Sequence, residues 1–468
     1  MNKVSTNFGV SNNNSTSLNV TNLSSKGGVS INFDAPDITP AGGLAIFNGY
    51  SKTDKLFDDI LSCLKDMRNQ KLITHSYDTM LRQRVYQIIA GYQDCNDCAI
   101  FRNDRLLMNI CRSNGDMETP LASQPTMSRF EEHVTISELV QIGYAFVDIF
   151  LDSYEAPPAH LIIDADDTNV NTYGEQEYSC YNSYYKEHCL MPLLIYDGST
   201  GKLILPLLRP GRRNKSLNVS GLLIKMVQRI RKRWPEVPIT LRGDSHFCCP
   251  RFMSWARTQK NVNYITGLSG NVVLNKKVEH FVQVAVQDYL VKKHDIKIYH
   301  TFQYKATSWD HYERVVVKIE VNKKGENGRK KDEVDVNVRF IVTSYQSARS
   351  TLLYEDFYCN RGNCELYIGD FKGGIQMERM SCHKFMANQF RLFIYGLAYV
   401  IMDTLRADLL QGTILQGAEL ATIRKFLIDT PSIVRVIRKR LVVSFSSTTP
   451  NRKEIEAILL KHPSRIAC

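Results

Sequence analysis

The feature that most constrains this chain is the order of short elements between His160 and Leu268. "HLIIDADD" follows Pro157 and Pro158 and is a brief apolar run that ends in acids, the pattern of a buried strand. "LMPLLIY", a turn at "DGSTG" and "KLILPLL" then read as a hairpin. "SLNVSGLLIKMVQRIRKRW" spaces its apolar residues three and four apart, as a helix does. "VPITLRGD" is a strand ending in another acid, "CPRFMSWARTQ" a helix with Pro250 near its first turn, and "VNYITGL" a closing strand. Three strands, a helix, a strand, a helix and a strand predict a mixed sheet with helices on its faces.

That order is the order of the ribonuclease-H-like fold, in which the first and fourth strands are neighbours. Their C-terminal ends would bring Asp166 and Asp244 together. A third acid, Glu365, lies in "YCNRGNCELYIGDFK", where Tyr358, Arg361, Glu365 and Lys372 stand at offsets 0, 3, 7 and 14. At about 100° per residue a helix places them within an arc of roughly 60°. The plainer reading of that face is a solvated surface with an Arg361–Glu365 ion pair. Clustered carboxylates resist ionisation unless a cation joins them, and hard oxygen ligands suit Mg²⁺ or Mn²⁺. Two such ions about 3.5–4 Å apart activate an attacking oxygen and stabilise the leaving one in phosphodiester chemistry.

The charge points the same way. The chain of 468 residues carries a formal charge of +11, and a basic balance favours a polyanionic partner, most simply nucleic acid. Ten Lys and Arg stand against three acids between Arg424 and Arg465, and a second basic cluster runs "RPGRRNK" to "RIRKRW". The 12 cysteines form no framework, and no apolar run reaches the roughly 18 residues of a membrane span. A cytoplasmic, nucleoid-associated protein with reduced thiols and no membrane partner is expected. Cys95-x-x-Cys98 lacks the second pair of a zinc site.

Six segments follow from these shifts. Residues 1–40 are rich in Asn, Ser, Thr and Gly and are expected to be a mobile tail. Residues 41–150 are helical. Residues 151–268 and 351–410 form the two parts of the α/β core. Residues 269–350, with strands expected at "VQVAVQDYL", "IKIYHTFQY", "YERVVVKIEV" and "DVNVRFIVTSY" and a charged turn at "NKKGENGRKKDE", are a mostly β insertion. Residues 411–468 are a basic helical tail.

The sequence resembles bacterial insertion-sequence DDE transposases with the Tyr-Arg-Glu-Lys motif, in which two, three and six residues separate the four. Tyr358, Arg361, Glu365 and Lys372 match that spacing. "IIDADDTNVNTYGEQE" resembles the first-acid block of the DDE transposase group 1 subfamily, and "GDSHF" before "NYITGL" the second. "GYQDCNDCAIFRNDRLL", "LASQPTMSRFEE" and "RMSCHKFMANQFRLFIYGLAY" resemble flanking segments, so the likeness spans roughly residues 40–440. Asp166, two before Thr168 and eight before Gly174, fits the first acid better than Asp164 or Asp167. Asp167 stands where a small residue is usual.

The resemblance implies an enzyme with Asp166, Asp244 and Glu365 as catalytic and metal-binding residues, and with two Mg²⁺ or Mn²⁺ ions. It implies double-stranded DNA as partner, bound at element ends through the helical region, and a homodimer in that complex. Arg361 and Lys372 would contact phosphates beside the scissile bond, with Tyr358 against the same strand. Trp309 in the β insertion is the candidate to hold an extruded base, the alternative being a Trp buried in a β core. A ribonuclease-H-like nuclease and an inactive DNA-binding remnant are the rival readings; the basic clusters disfavour a small-molecule phosphatase.

Overall fold

The computed structural model describes residues 18–24, 27–31, 35–211, 219–323, 334–438 and 440–462. A mixed eight-stranded sheet forms its centre. The strands are β1 (Leu161–Asp167), β2 (Leu193–Asp197), β3 (Leu203–Leu207), β4 (Ile239–Gly243), β5 (Val262–Leu268), β6 (Ile296–Tyr304), β7 (Glu313–Lys323) and β8 (Val334–Thr343). Across the sheet they run β6-β7-β8-β5-β4-β1-β2-β3. β4 is parallel to β1 and to β5, while the β1–β2, β2–β3 and β5–β8 pairs are antiparallel. β2 and β4 are buried along their full length, and this explains why β2 reads as a continuous apolar run rather than an alternating one.

Residues 269–350 do not form a separate β unit. β6, β7 and β8 extend the edge of the central sheet through the β5–β8 pairing. Ahead of them, "VQVAVQDYL" is not a strand. It lies inside a 21-residue helix, Val272–Lys292. Val282, Val284 and Val286 mimic a strand's period of two. Over the longer stretch, however, Leu274, Val278, Phe281, Ala285 and Tyr289 pack on the core, and their spacing is helical. The Asn271 side chain caps that helix by accepting from Leu274 N–H at 2.9 Å. The expected charged turn lies largely outside the described residues.

The N-terminal helices include Ser51–Leu61, Tyr77–Ile89, Gln124–Glu132 and Ile136–Asp152. Thr135 and Glu138 form a reciprocal capping box at the start of the last. They share one hydrophobic core with the sheet and with the long helix Phe385–Asp408. Phe130 meets Phe390 edge-on at 5.4 Å, and Phe146 stacks on Phe393 at 5.4 Å. By length and composition Phe385–Asp408 could cross a membrane, but 83% of its most apolar window is buried inside the protein, as in a helix at the centre of a protein core.

A buried ion triad joins the same two parts. Glu131 receives Arg84 Nε at 2.8 Å and Arg391 Nη2 at 2.6 Å, with all three side chains at most 3% exposed. Cys95 lies against Arg391 Nη2 at 3.4 Å and Cys98 is fully buried, so this pair serves packing.

The termini differ from the expected tails. Leu18–Ser24 pairs antiparallel with Gly27–Ile31, and Ile38–Thr39 pairs with Ser432–Ile433; the rest of the expected mobile tail before Ala35 lies outside the described residues. The C-terminal region is not wholly helical. Ser432–Ile437 and Arg440–Phe445 form an antiparallel hairpin, because β-branched residues are concentrated in "SIVRVI" and "RLVVSF". A helix, Arg452–Lys461, follows it.

Candidate active site

The parallel pairing of β1 and β4 sets the position of the acids. Arg242 on β4 is the register partner of Asp164 on β1, and Gly243 that of Ala165. One step further along the same register, Asp244 comes abreast of Asp166. The helical run Leu352–Ile375 brings the third acid. Its turns alternate in winding: π over Leu352–Tyr358, 3₁₀ over Cys359–Gly362, α over Asn363–Asp370 and π over Phe371–Ile375. Asp166, Asp244 and Glu365 all line one cleft of about 980 Å³, together with Arg361, His246 and the tyrosines Tyr181, Tyr184 and Tyr185.

The environments of the acids differ. Burial pushes the Asp166 carboxyl up to about 6; Arg361 pulls against this, and the charges of Asp244 and Asp167 add to it. Arg361 Nη1 donates to Asp166 Oδ2 at 2.8 Å, while its Nη2 lies 3.6 Å from Glu365 Oε1. The Glu365 side chain is 69% exposed. Asp244 Oδ1 accepts from the backbone N–H of His246 at 2.8 Å, and its Oδ2 sits 3.0 Å from His246 Nδ1.

Asp164 and Asp167 have other partners. Asp164 is fully buried and receives Arg242 Nε and Nη2, both at 2.6 Å; Arg242 Nη1 also donates to Phe357 O at 2.7 Å. This pair ties β1, β4 and the start of the helical run together beneath the cleft. Asp167 is gripped by Arg209 and lies 3.6 Å from His246 Nδ1. The extra charge at 167 is therefore absorbed by the loop after β3. Sequence reasoning missed Arg242, Arg209 and His246. Arg242 was detectable in principle, since it stands two residues before Asp244 on the same strand face and Asp164 two before Asp166.

The two cations of the helical run converge on the end of β1. Arg361 reaches Asp166. Lys372 Nζ donates to Thr168 Oγ1 at 3.1 Å and Asn169 O at 3.2 Å, and pairs with Glu378 at 2.8 Å. The Tyr358 ring packs beside Tyr354 at 5.6 Å, with its hydroxyl over Gly267 of β5, where a Cβ would come within 2.8 Å of it. Tyr358, Asp244 and Arg361 also line an adjoining cleft of about 470 Å³. Trp309 is not in either cleft. It is 6% exposed and packs edge-on against Tyr304 at 5.5 Å.

The family model for the transposase DDE domain, group 1, matches residues 21–464. The chain belongs to that family. Transposases cut DNA and transfer its strands, and those of the DDE class use divalent metal ions. No curated protein matches this transposase. Among solved structures it is similar to a piggyBac transposase in a synaptic complex with hairpin DNA, at 10% identity and a TM-score of 0.40, over 82% of this chain and 78% of that one.

The donor set can be tested against such ions. Three carboxylates facing one cleft suit a hard dication in charge and in ligand type. Among the described residues, however, no three acidic or other metal-ligating side chains stand close enough together to hold one, and Arg361 supplies the positive charge at Asp166. The residues fit the ions chemically, and the cation that meets Asp166 here is the Arg361 guanidinium.

Proposed function

We propose that this transposase binds the terminal inverted repeats of an insertion sequence, cleaves the DNA at the element ends, and joins the 3′-hydroxyl ends to target DNA. The observation that carries this reading is that Asp166, Asp244 and Glu365 reach one cleft from three separate elements. The strand order β3-β2-β1-β4-β5, with β1 parallel to β4, supports a ribonuclease-H-like core. The piggyBac similarity carries no part of it.

Asp166, Asp244 and Glu365 would hold two Mg²⁺ or Mn²⁺ ions, which when bound activate the attacking oxygen and stabilise the leaving one. The remaining roles fall to groups already in place. His246 holds both oxygens of Asp244 and so sets its orientation. Lys372, anchored at the end of β1, and Arg361 offer cations to the phosphates flanking the scissile bond, which fixes the strand against the acids. Tyr358 lines the adjoining cleft, along the path of that strand. The helical region 41–150 is the part we assign to the element ends, with a homodimer pairing two ends.

The test is cleavage of labelled element-end DNA. Mg²⁺ should support cutting and EDTA should abolish it; Asp166→Asn, Asp244→Asn and Glu365→Gln should each abolish cutting with end binding retained. Full activity in EDTA or in any of the three variants would overturn the reading.

A further inference from the structure

The loop between β1 and β2 carries five tyrosines that the chemistry above does not use. It folds as a small sheet of Val170–Asn171, Cys180–Asn182 and Glu187–Leu190. Tyr173, Tyr178, Tyr181 and Tyr184 are 89%, 62%, 55% and 83% exposed. Such exposure of large rings within one short segment marks a contact surface. Tyr181, Tyr184 and Tyr185 line the same cleft as the three acids.

The tip of this hairpin is built, not loose. Asn182 Oδ1 accepts from Tyr184 N–H at 3.0 Å, and Asn182 Nδ2 donates to Gly211 O at 3.3 Å. Lys186 N–H closes the turn on Asn182 O at 2.8 Å, and Lys186 takes the left-handed conformation at φ 57°. Tyr184 and Tyr185 are held perpendicular, ring centroids 4.9 Å apart. At the base, Gln176 Nε2 donates to Cys382 O at 2.9 Å and Glu177 Oε2 accepts from Phe385 N–H at 2.8 Å, which docks the flap on the core.

The geometry points to this tyrosine hairpin as a stacking platform for unpaired bases of the DNA strand entering the cleft, an inference that rests on the transposase reading above. In a duplex each base covers its neighbour's face and shows only its edges in the grooves. An exposed ring beside the acids therefore finds a matching face only where bases are unpaired. Stacking there is tolerant of sequence, because every base has a π-face. The buried Trp309 has no open face to offer. The phenol hydroxyls suggest a competing contact, a hydrogen bond to a phosphate, which the experiment separates.

The full-length protein is titrated with two DNAs: element-end duplex, and the same duplex with a single-stranded extension carrying 2-aminopurine. The wild type should prefer the extended DNA and change the 2-aminopurine emission. Tyr184→Ala and Tyr181→Ala should lower that preference by roughly five- to a hundredfold, the range one base–aromatic stack supplies. Tyr184→Phe and Tyr184→Trp should keep it, with thermal melting as the folding control. Loss in Tyr184→Phe equal to that in Tyr184→Ala would overturn stacking in favour of a hydroxyl–phosphate contact. Alanine variants with wild-type preference, or a wild type without one, would overturn the platform. A wild type that neither binds element ends nor cuts them would sink the underlying reading instead, so the two failures are told apart.

Discussion

Arg361 donates to Asp166 across 2.8 Å, so the cation of the helical run is the direct counter-charge of the carboxylate at the end of β1. The contact joins residues 195 apart in the chain. A guanidinium and a dication cannot both take that face of Asp166 at full strength. Arg361→Gln is therefore expected to bind Mn²⁺ several-fold more tightly than the wild type in the absence of DNA, and to cleave more slowly once DNA is added, because the phosphate contact is lost. Paramagnetic resonance of free Mn²⁺ during titration reads the first effect. Equal affinities would show that Arg361 and the ion do not compete.

Asp164 and Asp166 are two residues apart on one strand and should respond oppositely. Asp164→Asn leaves Arg242 buried without its charge partner, a defect of about 3–5 kcal/mol, so it should lower the melting temperature sharply. Asp166→Asn should abolish cutting and leave the melting temperature near that of the wild type. Gly198→Ala should resemble Asp164→Asn, since a Cβ there would sit 2.5 Å from Asp164 Oδ2 and 2.6 Å from Arg242 Nη2. A stable Gly198→Ala protein would mean that the turn can shift without breaking the pair.

The Arg84–Glu131–Arg391 triad makes a pH prediction. Burial alone would raise the Glu131 carboxyl, but Arg391 and Arg84 outweigh it and hold the group below its ordinary 4.5. A depressed carboxyl contributes stability that is complete above 4.5 and is lost as pH falls towards the folded value. Glu131→Gln should be less stable at pH 7 and should lose less on acidification below pH 4.5. Melting temperature against pH for the two proteins checks this, and parallel acid limbs would refute it. The same triad implies that a fragment ending near residue 150 keeps Arg84 and Glu131 but lacks Arg391, and should be less stable than the whole chain.

Lys372 is held by Thr168, Asn169 and Glu378 rather than free in solvent. Lys372→Ala should cut single-turnover cleavage on a preformed complex by about a hundredfold, as expected for a phosphate displaced by about 1 Å. End binding should change little, since many other contacts carry affinity. Lys372→Arg keeps the charge but not the fit and should be partly defective. Wild-type rates in the alanine variant would return the lysine to a structural role.

Much of the candidate site was legible in the residues. Strand periodicity located β1, β4 and β5, and the spacing of Tyr358, Arg361, Glu365 and Lys372 marked a helical segment, because local hydrophobic pattern and turn chemistry are written in neighbouring residues. A uniform winding of about 100° per residue does not describe that segment, since π and 3₁₀ turns rotate its side chains differently. Alternating valines at 282, 284 and 286 misled for a related reason: a short window cannot separate two periods that a longer one resolves. Which partner each of three crowded aspartates takes was a tertiary decision. Asp164 is claimed by its register partner Arg242, Asp167 by Arg209 on a loop far along the chain, and Asp166 by Arg361 on the helical run. Likewise the exposure of Tyr184 and the burial of Trp309 depend on which surfaces the folded chain covers. The sequence by itself determined the elements and the residue types available for chemistry, because those are local properties. Pairing of charges and burial of rings were decided by the tertiary structure alone, because they depend on neighbours that only folding brings together.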